Sequence, residues 1–260
     1  MRVTMVGHST LILEGGTTRL LTDPWFGTFG NLAYARPRPP ALTREEVPRV
    51  DGVLLSHGHW DHTDRRFLRS LDRSVPVLGP AGTGWAMRLR GVRRFQPMRA
   101  WDRLEVGEAT ITAVPALHLA RTCGFVLELD GVCAYFAGDT YRRPWMAEIG
   151  RRFRLDVALM PVSTYRLPMT MGERGAVAAV GDLRPATVIP IHQGLRPRSW
   201  LLRNAQSVAS FERRLRASGS TVEVVALQEG EHWEGGARPR TRDAALRQAA
   251  AATGRALCVS

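Results

Sequence analysis

Residues 56–62 constrain what this chain can fold into more than any other stretch of the sequence. They read Ser-His-Gly-His-Trp-Asp-His, so three histidines and one aspartate fall within six residues. Imidazole and carboxylate groups are the ligands that zinc and similar divalent ions prefer in proteins. The short apolar run at residues 53–56 predicts a buried strand that leads into this cluster. The stretch therefore predicts a strand whose end carries a metal site.

The spacing within the cluster predicts two neighbouring ligand points. A tight loop can direct His57 and His59 to one point, because Gly58 allows the backbone to turn between them. Asp61 and His62 can then reach a second point nearby. Three further candidate ligands each lie just past a predicted strand, where the ligand sites of α/β proteins gather. They are His118 after residues 110–114, Asp139 after residues 132–137 and His192 after residues 187–191.

Hydrophobic patterning predicts an α/β fold with two sheets packed between outer helices. We predict one domain over residues 1–235 and an Arg/Ala-rich tail over residues 236–260, of which 244–252 form a helix. The turns Gly15-Gly16 and Asp130-Gly131 predict hairpins, and Thr63 or Asp64 caps the first helix. The other predicted strands are 2–6, 10–14, 18–22, 75–78, 125–129, 157–160 and 222–226, and the predicted helices are 65–73, 145–152, 175–183 and 200–217.

The seven candidate ligands resemble the signature of the metallo-β-lactamase superfamily, His-x-His-x-Asp-His followed by a distant His, Asp and His. That resemblance implies a four-layer αββα sandwich with the site along one edge. It also implies two divalent metal ions, which we expect to be zinc, with manganese as the alternative. One ion would be held by His57, His59 and His118, the other by Asp61, His62 and His192, and Asp139 would bridge them together with a hydroxide.

A narrower resemblance runs from about residue 3 to residue 194. Residues 7–10, 21–24, 136–140, 160–162 and 170–172 look like the branch that contains N-acylphosphatidylethanolamine phospholipase D and ascorbate-6-phosphate lactonase. That branch acts on phosphodiesters and lactones. The chain departs from the phospholipase pattern after Asp139-Thr140, where Tyr141-Arg142 replaces Gly-Tyr. It departs again after His192, where Gln193 replaces Trp, and it lacks the expected histidine near residues 171–176.

The resemblance predicts a hydrolase in which a metal-bridging hydroxide attacks a phosphodiester or lactone of a small or lipid-like anionic substrate. Asp61, Asp139 and His192 would be catalytic through the ions, and no Ser or Cys nucleophile is needed. The alternatives are hydrolysis of another ester, a thioester or an amide in a biosynthetic pathway, and a nucleic-acid phosphodiesterase. A non-hydrolytic or binding role is a further alternative, for example that of a biosynthetic enzyme that uses the fold for another reaction, and the ligand set is also compatible with redox metals.

Five residues near predicted strand ends are candidates for substrate contact: His8, Trp25, Arg121, Tyr165 and Arg166. Asp23 can orient a ligand histidine, or it caps its turn. Residues 25–34 carry four aromatic side chains among glycines. This segment is therefore either a lid that contacts an apolar part of the substrate or a loop packed on the core.

The formal charge of +12 is weaker support for nucleic-acid binding than its size suggests. All 36 basic residues are arginine, which is typical of a GC-rich genome, so we predict a small anionic or acyl substrate and no nucleic-acid partner. The three cysteines fit no zinc or disulfide spacing, and no apolar run approaches the ~20 residues of a membrane span. We expect a cytoplasmic protein, and the sequence leaves its oligomeric state open.

Overall fold

A computed structural model describes residues 1–236 of the chain. In chain order the strands are β1 (Arg2–Gly7), β2 (Thr10–Gly15), β3 (Thr18–Thr22), β4 (Tyr34–Ala35), β5 (Gly52–Leu54), β6 (Val77–Pro80), β7 (Phe95–Met98), β8 (Arg103–Val106), β9 (Ala109–Pro115), β10 (Cys123–Leu129), β11 (Val132–Phe136), β12 (Val157–Pro161), β13 (Thr187–Ile191), β14 (Arg196–Pro197), β15 (Glu223–Val224) and β16 (His232–Glu234). The helices are α1 (Arg65–Ser70), α2 (Gly84–Leu89), α3 (Trp145–Arg152), α4 (Glu173–Leu183) and α5 (Val208–Ala217), with a short 3-10 helix at Trp200–Leu202.

Most of the strands form two seven-stranded sheets. The first has the order β16-β1-β2-β3-β5-β6-β7, and the second has the order β15-β13-β12-β11-β10-β9-β8. Each sheet combines antiparallel hairpins with parallel strand pairs. The first parallel pair along the chain is β3 with β5 in the first sheet and β11 with β12 in the second. The predicted α/β architecture with two large sheets is therefore confirmed. Strands β4 and β14 form a separate two-stranded ribbon.

Three apolar clusters separate the layers of the sandwich. Successive side chains of a strand point to opposite faces, so Leu13 and Leu20 lie between the sheets with Phe125, whereas Ile12 and Leu21 face outward. The outward face of the first sheet packs against α1 and α2, and that of the second sheet packs against α3, α4 and α5. The order of layers is thus helix, sheet, sheet, helix.

Local chemistry sets several of the element boundaries. Asp130 and Gly131 have φ of 52° and 71°, as a two-residue type I′ turn requires, so the predicted β10–β11 hairpin forms. Asp64, one of the two predicted caps, accepts hydrogen bonds from the backbone N–H groups of Arg66 and Phe67 and begins α1.

The predicted helix at residues 200–217 is wrong at its start. Only a 3-10 turn forms at Trp200–Leu202, and α5 begins after Ser207, whose side chain and that of Ser210 make reciprocal capping bonds. Between them the side chain of Gln206 accepts hydrogen bonds from the backbone of Thr164 and Glu173, which a helix would not allow.

Other corrections concern short elements. The strand predicted at residues 222–226 is only two residues long, and β7, β8, β16 and α2 were not predicted. Pro97 within β7 obscures its strand pattern, and α2 has no side-chain cap to mark its start. No helix in residues 1–236 is long and apolar enough to cross a membrane. The predicted tail, including its 244–252 helix, lies outside the described residues except for Gly236.

Candidate metal centre

The candidate ligands meet at one edge of the sandwich, and both sheets contribute. The loop of residues 57–62 leaves the first sheet after β5, whereas His118, Asp139 and His192 follow β9, β11 and β13 of the second sheet. Two compact sets result, each with ligand atoms within 4.8 Å of one another. The first set is His57, His59 and His118; the second is Asp61, His62 and His192, joined by His8.

The Asp139 carboxylate lies between the two sets. Its Oδ2 atom is 3.7 Å from His118 Nε2 of the first set. The same oxygen is 3.5 Å from His62 Nε2 and 3.1 Å from His192 Nε2 of the second set. One carboxylate thus faces histidines of both sets, as a group shared by two ions must.

The donor atoms fit metal ions because they lack other partners. Within the described residues, His57 Nε2, His62 Nε2 and Asp139 Oδ1 are buried without a hydrogen bond. His59 Nδ1 and His118 Nε2 face each other at 3.2 Å. An unpaired buried polar atom costs about 1–3 kcal/mol, and a divalent ion in each set would satisfy these atoms together.

The buried Asp23 carboxylate orients the cluster from behind. One oxygen accepts a hydrogen bond from the Ser56 backbone N–H at 2.6 Å. The other accepts from the Ser56 hydroxyl at 2.5 Å and from His62 Nδ1 at 2.7 Å. The Ser56 oxygen also lies 2.9 Å from His57 Nδ1. Because Asp23 accepts the proton on His62 Nδ1, Nε2 is the atom through which this ring would bind a metal.

The electrostatics of the cluster favour the metal-binding form at five ligands and oppose it at His62. Burial lowers the pKa of His59, that of His57 well below its ordinary value and that of His118 to about 4, which favours the neutral rings. Burial opposes ionisation of Asp61 and Asp139, but the surrounding histidines outweigh it and hold both carboxyl pKa values low. At His62 burial is outweighed by the nearby carboxylates, Asp139 foremost, which raise its pKa. A metal bound there must displace a proton.

Gly138 allows the end of β11 to reach the site. Its φ is +55°, and an added Cβ would fall on the Ser56 side chain. We therefore expect Gly138→Ala to lower the free energy of unfolding by about 2–4 kcal/mol, from left-handed strain plus overpacking. Urea denaturation measures this. The matched control is Gly219→Ala, which has φ of +78° but open space around it and should cost only the strain. Equal losses in the two variants would exclude the Ser56 contact as a cause.

The five predicted substrate residues divide into two groups. His8 is buried in the second set, and Trp25 is buried beside it with ring centroids 5.3 Å apart. Tyr165 is partly buried with its ring 6.5 Å from that of His192. Arg166 is exposed and Arg121 lies over the turn at Gly82. The structure thus brings the first three to the ligand cluster and leaves the two arginines outside it.

The segment of residues 25–34 is held at both ends, at the second by the pairing of Tyr34 with Pro197 in the β4–β14 ribbon. Trp25 and Phe26 are buried in the core, whereas Phe29 and Leu32 are 82% and 99% exposed. Arg36, a buried residue that was not predicted from the sequence, holds the first end of this segment. The guanidinium lies 4.0 Å over the Trp25 ring and donates to the carbonyl oxygens of Trp25 and Gly27. Among so many arginines, no sequence signal distinguishes this one.

The two sheets, the outer helices and the edge cluster of histidines and aspartates define the class of protein. It is a metal-dependent hydrolase with the metallo-β-lactamase fold. Residues 18–193 match the family model described as the beta-lactamase superfamily domain, and the chain belongs to that family.

A similar sequence agrees with this assignment, and similar solved structures agree with the fold. A relative from Archaeoglobus fulgidus, named UPF0173 metal-dependent hydrolase, is 30% identical over 247 residues, covering 90% of this chain and 99% of the relative. The isothiocyanate hydrolase from Delia radicum gut bacteria has a TM-score of 0.74 at 20% identity, covering 90% of this chain and 99% of that one. CmlA, a diiron β-hydroxylase from Streptomyces venezuelae, has a TM-score of 0.70 at 19% identity, covering 90% of this chain and 54% of that one.

Proposed function

We propose that the protein is a binuclear hydrolase that cleaves a phosphodiester or lactone of a small or lipid-like anionic substrate. The observation that carries the proposal is the position of Asp139, whose Oδ2 atom lies within 3.7 Å of histidines from both ligand sets. When bound, two adjacent divalent ions supply hydroxide from water at neutral pH and polarise the bond under attack.

The residues of the chain have separate tasks in this proposal. His57, His59 and His118 hold one ion. Asp61, His62 and His192 hold the other, and Asp139 contacts both. We expect the ions to be zinc, with manganese as the alternative, since imidazole suits zinc and carboxylate suits both. Asp23 keeps His62 in the tautomer that can bind a metal.

The surroundings of the site support a substrate with an anionic head and an apolar part. Phe29, Leu32 and Leu167 are exposed apolar side chains on two segments joined by the contact between the Tyr34 and Tyr165 rings at 4.7 Å, and the Tyr165 ring lies 6.5 Å from that of His192. Arg166, next to Tyr165 in the chain, is exposed and positively charged. A second candidate function is hydrolysis of a different bond, an ester, thioester or amide, because one protein of this fold is named for hydrolysis of a group that is neither a phosphodiester nor a lactone, an isothiocyanate.

Metal analysis together with a substrate panel tests the proposal. The protein is purified, stripped with a chelator and reloaded, and we expect two divalent ions per chain. Phosphodiester, lactone, thioester and amide substrates are then compared, and we expect the largest kcat/KM for a phosphodiester or lactone. A maximum of one tightly bound ion would overturn the binuclear mechanism. A preference for thioester or amide substrates would select the second candidate.

The salt dependence of activity distinguishes a small anionic substrate from nucleic acid. We expect kcat/KM to fall only modestly as salt rises, because exposed charges are screened over ~10 Å at ordinary ionic strength. Nucleic-acid binding would instead give a steep dependence set by the number of neutralised phosphates. A gel-shift titration with DNA and RNA compares the full chain with a version ending at Gly235, which lacks Arg238, Arg240 and Arg242. Tight binding that survives moderate salt and disappears with the tail would support the nuclease alternative.

A further inference from the structure

His8 occupies an ambiguous position in the second ligand set. It follows β1, its side chain is fully buried, and its Nε2 atom lies 3.5 Å from Asp61 Oδ2. Distance alone would make it a fourth ligand beside Asp61, His62 and His192. Counted with the shared Asp139, the second set would have five protein ligands if His8 binds the ion and four if it does not. The role of His8 therefore decides how many protein groups would hold the second ion.

The other ring nitrogen of His8 resolves the ambiguity. The backbone N–H of Gly194 donates a hydrogen bond to His8 Nδ1 at 3.1 Å. A backbone amide can only donate, so Nδ1 must be the unprotonated nitrogen and the proton of the neutral ring is on Nε2. A neutral imidazole bound to a metal through Nε2 would carry its proton on Nδ1. Two hydrogen-bond donors, this Nδ1–H and the Gly194 N–H, would then face each other.

The contrast with the proposed ligands supports this assignment. The Nδ1 atom of His62 donates to the Asp23 carboxylate, the usual arrangement behind a metal-bound histidine. Nδ1 of His8 instead faces a hydrogen-bond donor, the Gly194 N–H, whereas Nδ1 of a metal-bound histidine faces an acceptor. The Nε2 atom of His8 makes no hydrogen bond within the described residues, and the nearest carboxylate oxygen, Asp61 Oδ2, is 3.5 Å away.

The backbone holds His8 in this orientation. The His8 carbonyl accepts a hydrogen bond from the His192 N–H at 3.0 Å, and both residues have positive φ. A Cβ at Gly194 would come within 2.8 Å of the His8 Cβ, so only glycine fits there. The turn after β1 and the turn after β13 are therefore held together, and the His8 and His192 rings contact each other at an interplanar angle of 46° with centroids 4.1 Å apart.

We propose that His8 is a positioning residue of the second metal set and not one of its ligands. In this proposal its Nε2–H is directed at the Asp61 carboxylate 3.5 Å away, and its backbone and ring hold His192. The set then consists of Asp61, His62 and His192 together with the shared Asp139. This inference rests on the proposed function, which identifies Asp61 and His192 as ligands.

Nitrogen-15 NMR of the histidine rings tests the proposal on the unmodified chain. We expect His8 to show protonated Nε2 and unprotonated Nδ1, both before and after loading with zinc. Assignment uses the His8→Gln spectrum, in which only this ring is missing. A His8 ring with protonated Nδ1 and a metal-shifted Nε2 in the loaded protein would overturn the proposal.

Zinc titration of stripped variants provides a second test. We expect His8→Ala to weaken binding of the second zinc ion about 10–100-fold, as loss of such supporting contacts does, and to leave the first unchanged. His8→Gln should restore most of the loss, because its amide N–H can donate to Asp61 but its nitrogen does not bind zinc. The control is His232→Ala, an exposed histidine on β16, which should bind both ions normally.

The outcomes separate this inference from the function on which it rests. Wild-type protein that binds fewer than two zinc ions contradicts the proposed function. Wild-type protein that binds two, with His8→Ala unchanged or His8→Gln as weak as His8→Ala, contradicts the positioning role of His8.

Discussion

Asp139→Asn should lower hydrolysis by several orders of magnitude and reduce the bound metal from two ions per chain to at most one. The substitution keeps the shape of the side chain but removes its negative charge and replaces one acceptor oxygen with a donor. That change affects both ligand sets, because Asp139 Oδ2 faces His118 on one side and His62 and His192 on the other. Metal content is measured by atomic emission, and turnover is measured on the best substrate of the panel.

The matched control for this experiment is Asp182→Asn. Asp182 pairs with Arg142 on the protein surface at 2.7 Å and is not one of the candidate ligands. Surface pairs of this kind contribute about 0–1 kcal/mol, so metal content and turnover should be unchanged. An Asp139→Asn protein that keeps both ions and near-normal turnover would show that this carboxylate is not shared between them.

Asp23→Asn and Asp23→Ala should separate stability from metal binding. Asp23→Ala leaves the Ser56 N–H, the Ser56 hydroxyl and His62 Nδ1 without their buried partner. We expect it to lower the free energy of unfolding by about 3–5 kcal/mol, the usual cost of breaking a buried charged pair. Asp23→Asn fills the same space and can still accept from Ser56, so its loss should be smaller.

The asparagine variant should nevertheless bind the second ion poorly. Its amide N–H groups would face His62 Nδ1 and donate to it, which moves the ring proton to Nε2, the atom that must bind the metal. We expect zinc affinity of the second set to fall about 10–100-fold. Urea denaturation and zinc titration of both variants measure the two effects. An Asp23→Asn protein with normal zinc affinity would indicate that Asp23 stabilises the fold without setting the tautomer of His62.

The candidate ligands could be predicted from the sequence because the signals that mark them lie close together in the chain. Residues 57–62 follow a strand, and His118, Asp139 and His192 each follow another strand. The ends of strands in packed sheets converge, so positions distant in the chain become neighbours. The Asp130-Gly131 turn could also be predicted from the sequence, because few residue pairs adopt positive φ twice in succession.

The rest of the site depended on tertiary contacts that leave no periodic signal. The role of His8 is decided by the Gly194 N–H, 186 residues away in the chain. Arg36 is buried by packing on Trp25, and nothing nearby in sequence marks it among the other arginines. The start of α5 was misplaced for the same reason, since Gln206 is held by Thr164 and Glu173.

Each ligand set draws side chains from both sheets, and this arrangement has a consequence for folding. An ion held by the first set would cross-link His59 to His118, closing a loop of 59 residues. Closing such a loop in the unfolded chain costs conformational entropy, so the sheets must dock before the ion can be held by its full set. Bound metal would then slow unfolding more than it speeds folding. The lifetime of the native state would therefore vary with the free metal concentration around the protein.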